Sequence, residues 1–213
     1  MDYKENIEII LAKYSDIKEL YIECEETDPE LKTNLQPLNE FRAALDHIMK
    51  LWYAQHNNNN EEVLEQFRKL NSHLDRCFYD ICDMLSINYR NKIVDILEMY
   101  EVEAIRTALP TYYSEMKPAI DAISSRIVSY RNKKGATSST SAATLDNFLE
   151  YKQDVMTLKT MYQQILIAQK QLEEIQSKEQ KRSASENRKN LLIGGIIGFV
   201  SSALISLFFY LIG

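Results

Sequence analysis

The sequence predicts an all-α protein: a helical bundle, then a long C-terminal amphipathic helix that leads into a single transmembrane helix. Three observations carry this. Apolar residues recur at steps of three and four along most of the chain, the spacing of one helix face. No stretch alternates with period two, and five glycines leave little hairpin chemistry. The last stretch, Leu191 to Gly213, holds neither a charge nor a proline.

Over residues 3–26, Ile7, Ile10, Leu11, Tyr14, Ile17, Tyr21 and Cys24 form an apolar stripe that stops near Thr27-Asp28-Pro29. Pro37 suits a first helical turn. Leu38, Phe41, Leu45, Ile48 and Trp52 then share one face, with Ala44 and Leu51 at the edge of a core face, until the asparagine run 57–60. A third stripe, Val63, Phe67, Leu70, Leu74, Cys77, Ile81 and Met84, is broadened by Leu64, Phe78 and Leu85. A fourth helix is expected from Ile93 to Pro110, and a fifth over Ala119, Ile120, Ile123 and Ile127, which Pro118 starts or kinks. Together these make a bundle over residues 1–132.

Residues 133–143 are small and polar and cannot bury surface that would offset chain entropy, so they read as a flexible linker. Over residues 144–182, Phe148, Tyr151, Val155, Leu158, Tyr162, Ile165 and Leu172 keep the helical spacing and are expected to close the bundle. Residues 183–190 form a basic juxtamembrane collar, and residues 191–213, at 1.5 Å per residue, reach roughly 33 Å, enough for a bilayer core. Lys181, Arg182, Arg188 and Lys189 precede this span with no charge after it, which places the N-terminal domain in the cytoplasm of a single-pass membrane protein facing anionic lipid. Gly194, Gly198, Ser202 and Ser206 recur every four residues, a small face suited to close helix packing. That stripe reads as a self-association surface, with a plain anchor or a narrow pore as alternatives.

Composition narrows the chemistry. The formal charge is −6, and removing the +3 of residues 178–190 leaves −9 for residues 1–177, so no broad nucleic-acid surface is indicated. Cys24, Cys77 and Cys82 are odd in number and lack metal-ligand spacing, so they read as reduced core thiols. There is no Gly-rich phosphate loop, His-Glu-x-x-His, Cys-x-x-Cys or nucleophile elbow, and no cofactor or metal is expected.

Two of the three histidines, His47 and His73, follow an arginine by five residues, in Arg42-Ala-Ala-Leu-Asp-His47 and Arg68-Lys-Leu-Asn-Ser-His73. This resembles the signature of HEPN proteins, all-helical domains in which an Arg-x4-6-His pair from each of two protomers cleaves RNA without metal. The resemblance implies arginines (Arg42, Arg68) that steady phosphate charge, histidines (His47, His73) that transfer a proton as a ribose 2′-hydroxyl attacks, and RNA as partner. Helical domains of this kind with a membrane span are similar to accessory and effector proteins of RNA-targeting CRISPR and other phage-defence systems. The sequence therefore points to a membrane-anchored helical effector or accessory protein in antiviral defence, a homo-oligomer with a further protein partner yet to be named, acting by self-association at the membrane. The alternatives are a tail-anchored tether resembling SNARE proteins in layout and a HEPN-type metal-independent ribonuclease.

Overall fold

A computed structural model of the protein describes the backbone of residues 3–134 and 142–212, and the side chains of residues 6–132 and 148–202. Among the described residues six α-helices follow one another: α1 (Tyr3–Thr27), α2 (Leu35–His56), α3 (Asn60–Leu97), α4 (Val102–Ala108), α5 (Lys117–Lys134) and α6 (Ala142–Ile212). One π-helical turn, Tyr112–Met116, precedes α5, and no strand occurs among the described residues. The expected linker, 133–143, lies mostly outside the described residues.

The helix boundaries have local causes. Asn34 caps α2 by accepting a bond from the Gln36 amide at 2.9 Å, and Pro37 sits in the first turn, where its missing amide hydrogen costs nothing. The asparagine tract is the turn itself. Asn58 takes a left-handed φ of 54°, which asparagine tolerates, and Asn59 caps α3 by accepting from the Glu62 amide at 3.2 Å. The fourth expected helix divides differently: α3 runs unbroken past Ile93 to Leu97, and α4 is a separate short helix. Pro118 is the second residue of α5, which continues directly from the π-helical turn, so the proline lies where the winding changes from π to α.

α3 is the central element, packed by α1, α2, α5 and α6. Cys77, Phe78, Tyr79, Asp80, Ile81 and Cys82 are buried in succession, which on a helix means enclosure on every side. Phe78 stacks on Phe148 of α6 at 3.5 Å between centroids and meets Tyr151 edge-on at 6.3 Å. A second core, Ile93, Leu97, Ala104, Ile105, Met116, Ile165 and Leu172, joins the end of α3 to α4 and to α6. Of the α6 stripe, Phe148, Tyr151, Val155, Leu158, Ile165 and Leu172 are buried and Tyr162 is half-buried, so this helix closes the bundle.

On α2 the periodic stripe turns away from the core. Leu38, Leu45, Ile48 and Trp52 are 45%, 57%, 39% and 62% exposed, while Pro37, Ala44, Leu51 and Ala54, centred about 110° around the helix, pack inward. The small side chains of Ala44 and Ala54 let α2 approach α3 closely.

The expected transmembrane helix, and with it single-pass membrane localisation, is overturned. Among the described residues no helix is long and apolar enough to cross a membrane. The apolar run with described side chains, Leu191 to Ser202, spans about 18 Å, against about 30 Å of hydrocarbon, and only Asn190 separates it from Arg188 and Lys189. The side chains of Ala203–Gly213, including Ser206, lie outside the described residues. The assignment of Lys181, Arg182, Arg188 and Lys189 to a membrane surface rested on that span; they are exposed, and Arg182 pairs with Glu186 at 3.1 Å.

Buried polar groups fix the register of α6. Asp154, 7% exposed, accepts two bonds from Arg126 of α5, at 2.8 and 2.6 Å, and one from the Tyr130 hydroxyl at 3.2 Å. Replacing Arg126 with Met would strip this carboxylate of its cation. Because the guanidinium is half exposed, the expected cost is about 2 kcal/mol, below that of a fully enclosed pair. The corresponding loss of about 4–8 °C in Tm is measurable by calorimetry, and an unchanged Tm would refute the role given to the pair.

Candidate functional site

α2 and α3 form an antiparallel hairpin about the asparagine turn, and its register brings the two histidines together. His47 lies next to Gln66, with Nδ1 at 2.6 Å from Oε1. Seven residues back along α2 and seven forward along α3, Glu40 meets His73, with Oε2 at 2.7 Å from Nδ1. The two imidazoles stack between these rungs, 5.1 Å apart and 22° from parallel.

Arg76 completes the cluster. Its Nε donates to Glu40 Oε2 at 3.0 Å, Nη1 donates to Ser72 Oγ at 3.0 Å, and Nη2 approaches His73 Nδ1 to 2.7 Å. One ring nitrogen cannot serve both neighbours at once: protonated, Nδ1 donates to Glu40, and unprotonated it accepts from Arg76. Partial burial of Glu40 acts to raise its pKa, but hydrogen bonds from His73 and Arg76 outweigh it and hold the carboxyl below its usual range. The cluster is thus a polar clamp joining α2 to α3, with Glu40 as its anionic centre.

The arginines of the Arg-x4-His motifs stay outside it. Residues five apart on a continuous helix point about 140° away from one another, and both motifs lie within helices. Arg42 is exposed on the far side of α2. Arg68 is held by Glu65 through two bonds, at 3.0 and 2.8 Å. It borders an open hollow of about 410 Å³ whose rim also carries Glu61 and Glu62, an acidic setting for a phosphate. The structure therefore unites His47 with His73, adds Glu40, Gln66 and Arg76, and leaves Arg42 and Arg68 apart. The seven-residue step shared by the two rungs was present in the sequence, but it becomes visible only once the hairpin register is known.

The other reactive groups are enclosed. Burial pushes the Cys24 thiol up to about 12 and moves Cys77 and Cys82 upward as well, so all three are thiols rather than nucleophilic thiolates. Among the described residues no group of three or more His, Cys, Asp or Glu side chains is placed to hold a metal ion. Along α6, Gly194 and Gly198 face open space, and the Ser202 hydroxyl donates to Gly198 O of its own helix at 2.9 Å.

Comparison with protein-family models, with curated proteins and with solved structures gives no match to this chain.

The clamp has a definite pH signature. Glu40 has a lower pKa folded than unfolded, so the stability it contributes is complete above its ordinary value of 4.5 and is lost as pH falls through the lowered folded value. Glu40→Gln should therefore reduce stability at neutral pH and flatten the decline between about pH 4.5 and the acid limit. Urea midpoints measured across that range check it, and parallel curves for the two proteins would contradict the assignment.

Proposed function

We propose that this protein is a helical effector or accessory protein whose output is self-association, with a compact head that carries a projecting rod. The observation that carries the reading is the second half of α6. From Lys181 to Ser202 every residue is exposed, and within that rod Leu191, Leu192, Ile193, Ile196, Ile197, Phe199 and Val200 leave 49–77% of their surfaces uncovered. A helix apolar on all sides is covered in its working state. A partner helix of the same kind covers it with matching chemistry, and the open space at Gly194 and Gly198 admits close approach.

Gly198→Leu tests the reading. Apart from the helix's own turn, nothing among the described residues lies within 4 Å of the added Cβ, so the fold of one copy should be unaffected. Crosslinking of the full chain should lose its ladder of higher species while the helical circular dichroism stays the same. An identical ladder in variant and wild type would exclude close packing at this face.

A second reading, metal-independent RNA cleavage, draws on one contact: the stacked His47 and His73 with the Arg76 guanidinium beside them. Two imidazoles can act as acid and base on a phosphodiester, with a guanidinium to steady its charge. Here Arg76 takes the place that the motifs assign to Arg42 and Arg68. Under this reading, RNA incubated with the protein and a chelator is cut, and His47→Ala abolishes cutting with the fold intact. Intact RNA with the wild-type protein would dismiss it.

A further inference from the structure

The exposed stripe of α2 is a second apolar surface, distant from the rod and built on the head. Leu35, Leu38, Leu45, Ile48, Met49, Trp52 and Tyr53 are 39–67% exposed. Phe41, in the middle of the stripe, is partly covered by Tyr14 and Tyr21 of α1, edge-on at 5.6 and 5.8 Å. Leu38, Phe41, Leu45, Ile48 and Trp52 alternate steps of three and four, the spacing of a seam that receives another helix. Monomeric proteins rarely leave so large an apolar patch open, and the chain's single tryptophan lies in it.

We propose that this stripe is the face on which a second copy of the chain docks, α2 against α2 about a two-fold axis near Leu45. This names a surface for the self-association proposed above and rests on that reading. Three features favour a like copy. First, the stripe reads nearly the same in both directions about Leu45, with Leu38 and Trp52 one heptad away on either side and Phe41 and Ile48 between. An antiparallel copy thus sets Leu38 against Trp52, Phe41 against Met49, and Leu45 against itself, the isologous pattern of a two-fold interface.

Second, at roughly 100 Å² for each large apolar side chain, the seven exposed residues offer on the order of 700 Å² per copy, close to one partner's share of a standard interface. Third, the seam carries no charge. A chain of formal charge −6 meets its own copy here without repulsion, and the rim holds both signs, Arg42 with Asp46 and Lys50.

The experiment uses the full chain in two forms. Leu45→Glu alters an exposed side chain and should leave the helical content unchanged, while placing two carboxylates face to face at the axis. The expected result is a fall of at least tenfold in the association constant, read by sedimentation equilibrium. Leu45→Cys, treated with a short bis-maleimide, should give covalent dimer well above a Ser125→Cys control on α5, because the three native cysteines are buried.

If Leu45→Glu associates like the wild type, or Leu45→Cys crosslinks no better than the control, the α2 face is not the interface. Self-association through the rod stands in that case, and Gly198→Leu still tests it. A wild-type chain that sediments as a monomer at every concentration overturns both. If only addition of another protein covers the stripe, shown by protection of Leu45→Cys from maleimide without dimer, the second copy is excluded as occupant.

Discussion

Enclosure of the middle of α3 is the constraint on which the remaining elements depend. A helix with Cys77 through Cys82 buried in unbroken succession has no solvent face there, so neighbours are required on all sides. α1, α2, α5 and α6 supply them, and only α6 comes from beyond the residues the structure does not describe. Phe148 and Tyr151 of α6 fill the side that the N-terminal helices leave open, through ring contacts with Phe78 and Tyr79. Without α6 the widest part of α3 would face water.

Apolar contact alone would let α6 slide by a turn, because its stripe repeats. Polar anchors remove that freedom. The Tyr151 hydroxyl donates to Asp83, which Arg131 of α5 also contacts at 3.1 Å, and Asp154 is held by Arg126 and Tyr130. Glu23 of α1 accepts from Tyr89 at 2.5 Å and from Lys159 at 2.7 Å, joining three helices at one carboxylate. A slip of α6 by one turn would take Tyr151 from Asp83 and Lys159 from Glu23, and would carry Asp154 away from both Arg126 and Tyr130, penalties that apolar contact does not impose. The histidine cluster does the same for the hairpin of α2 and α3, which gives the Glu40–His73–Arg76 group a structural purpose independent of catalysis.

Both surfaces proposed for association follow from the way the core is satisfied. α3 needs α2 close, and Ala44 and Ala54 provide closeness, so the bulky side chains of α2 are left on the outside. α6 completes both cores by Leu172, so among the described residues the apolar side chains from Leu191 to Val200 are left exposed. Each surface is what remains once the fold's own requirements are met, and a like copy is a chemically matched cover for it.

The sequence by itself determined the helical class, the caps and turns, and which residues of α3 and α6 are apolar enough to be enclosed. Those follow from local rules: spacing of apolar residues, proline in a first turn, asparagine at a left-handed turn and at a cap. Tertiary structure decided what local rules cannot reach. The spacing on α2 marks an apolar face but not what covers it, because burial depends on how near a neighbouring helix can come, and the two alanines on the other face win that contest. The Arg-x4-His spacing is a linear pattern, yet a continuous helix turns its two members apart, while hairpin register joins His47 to His73 and Arg76 to Glu40. The long apolar end suggested a bilayer from composition alone; its described part is too short and too near Arg188 and Lys189 to span one, because a crossing requires length and apolarity together along one axis.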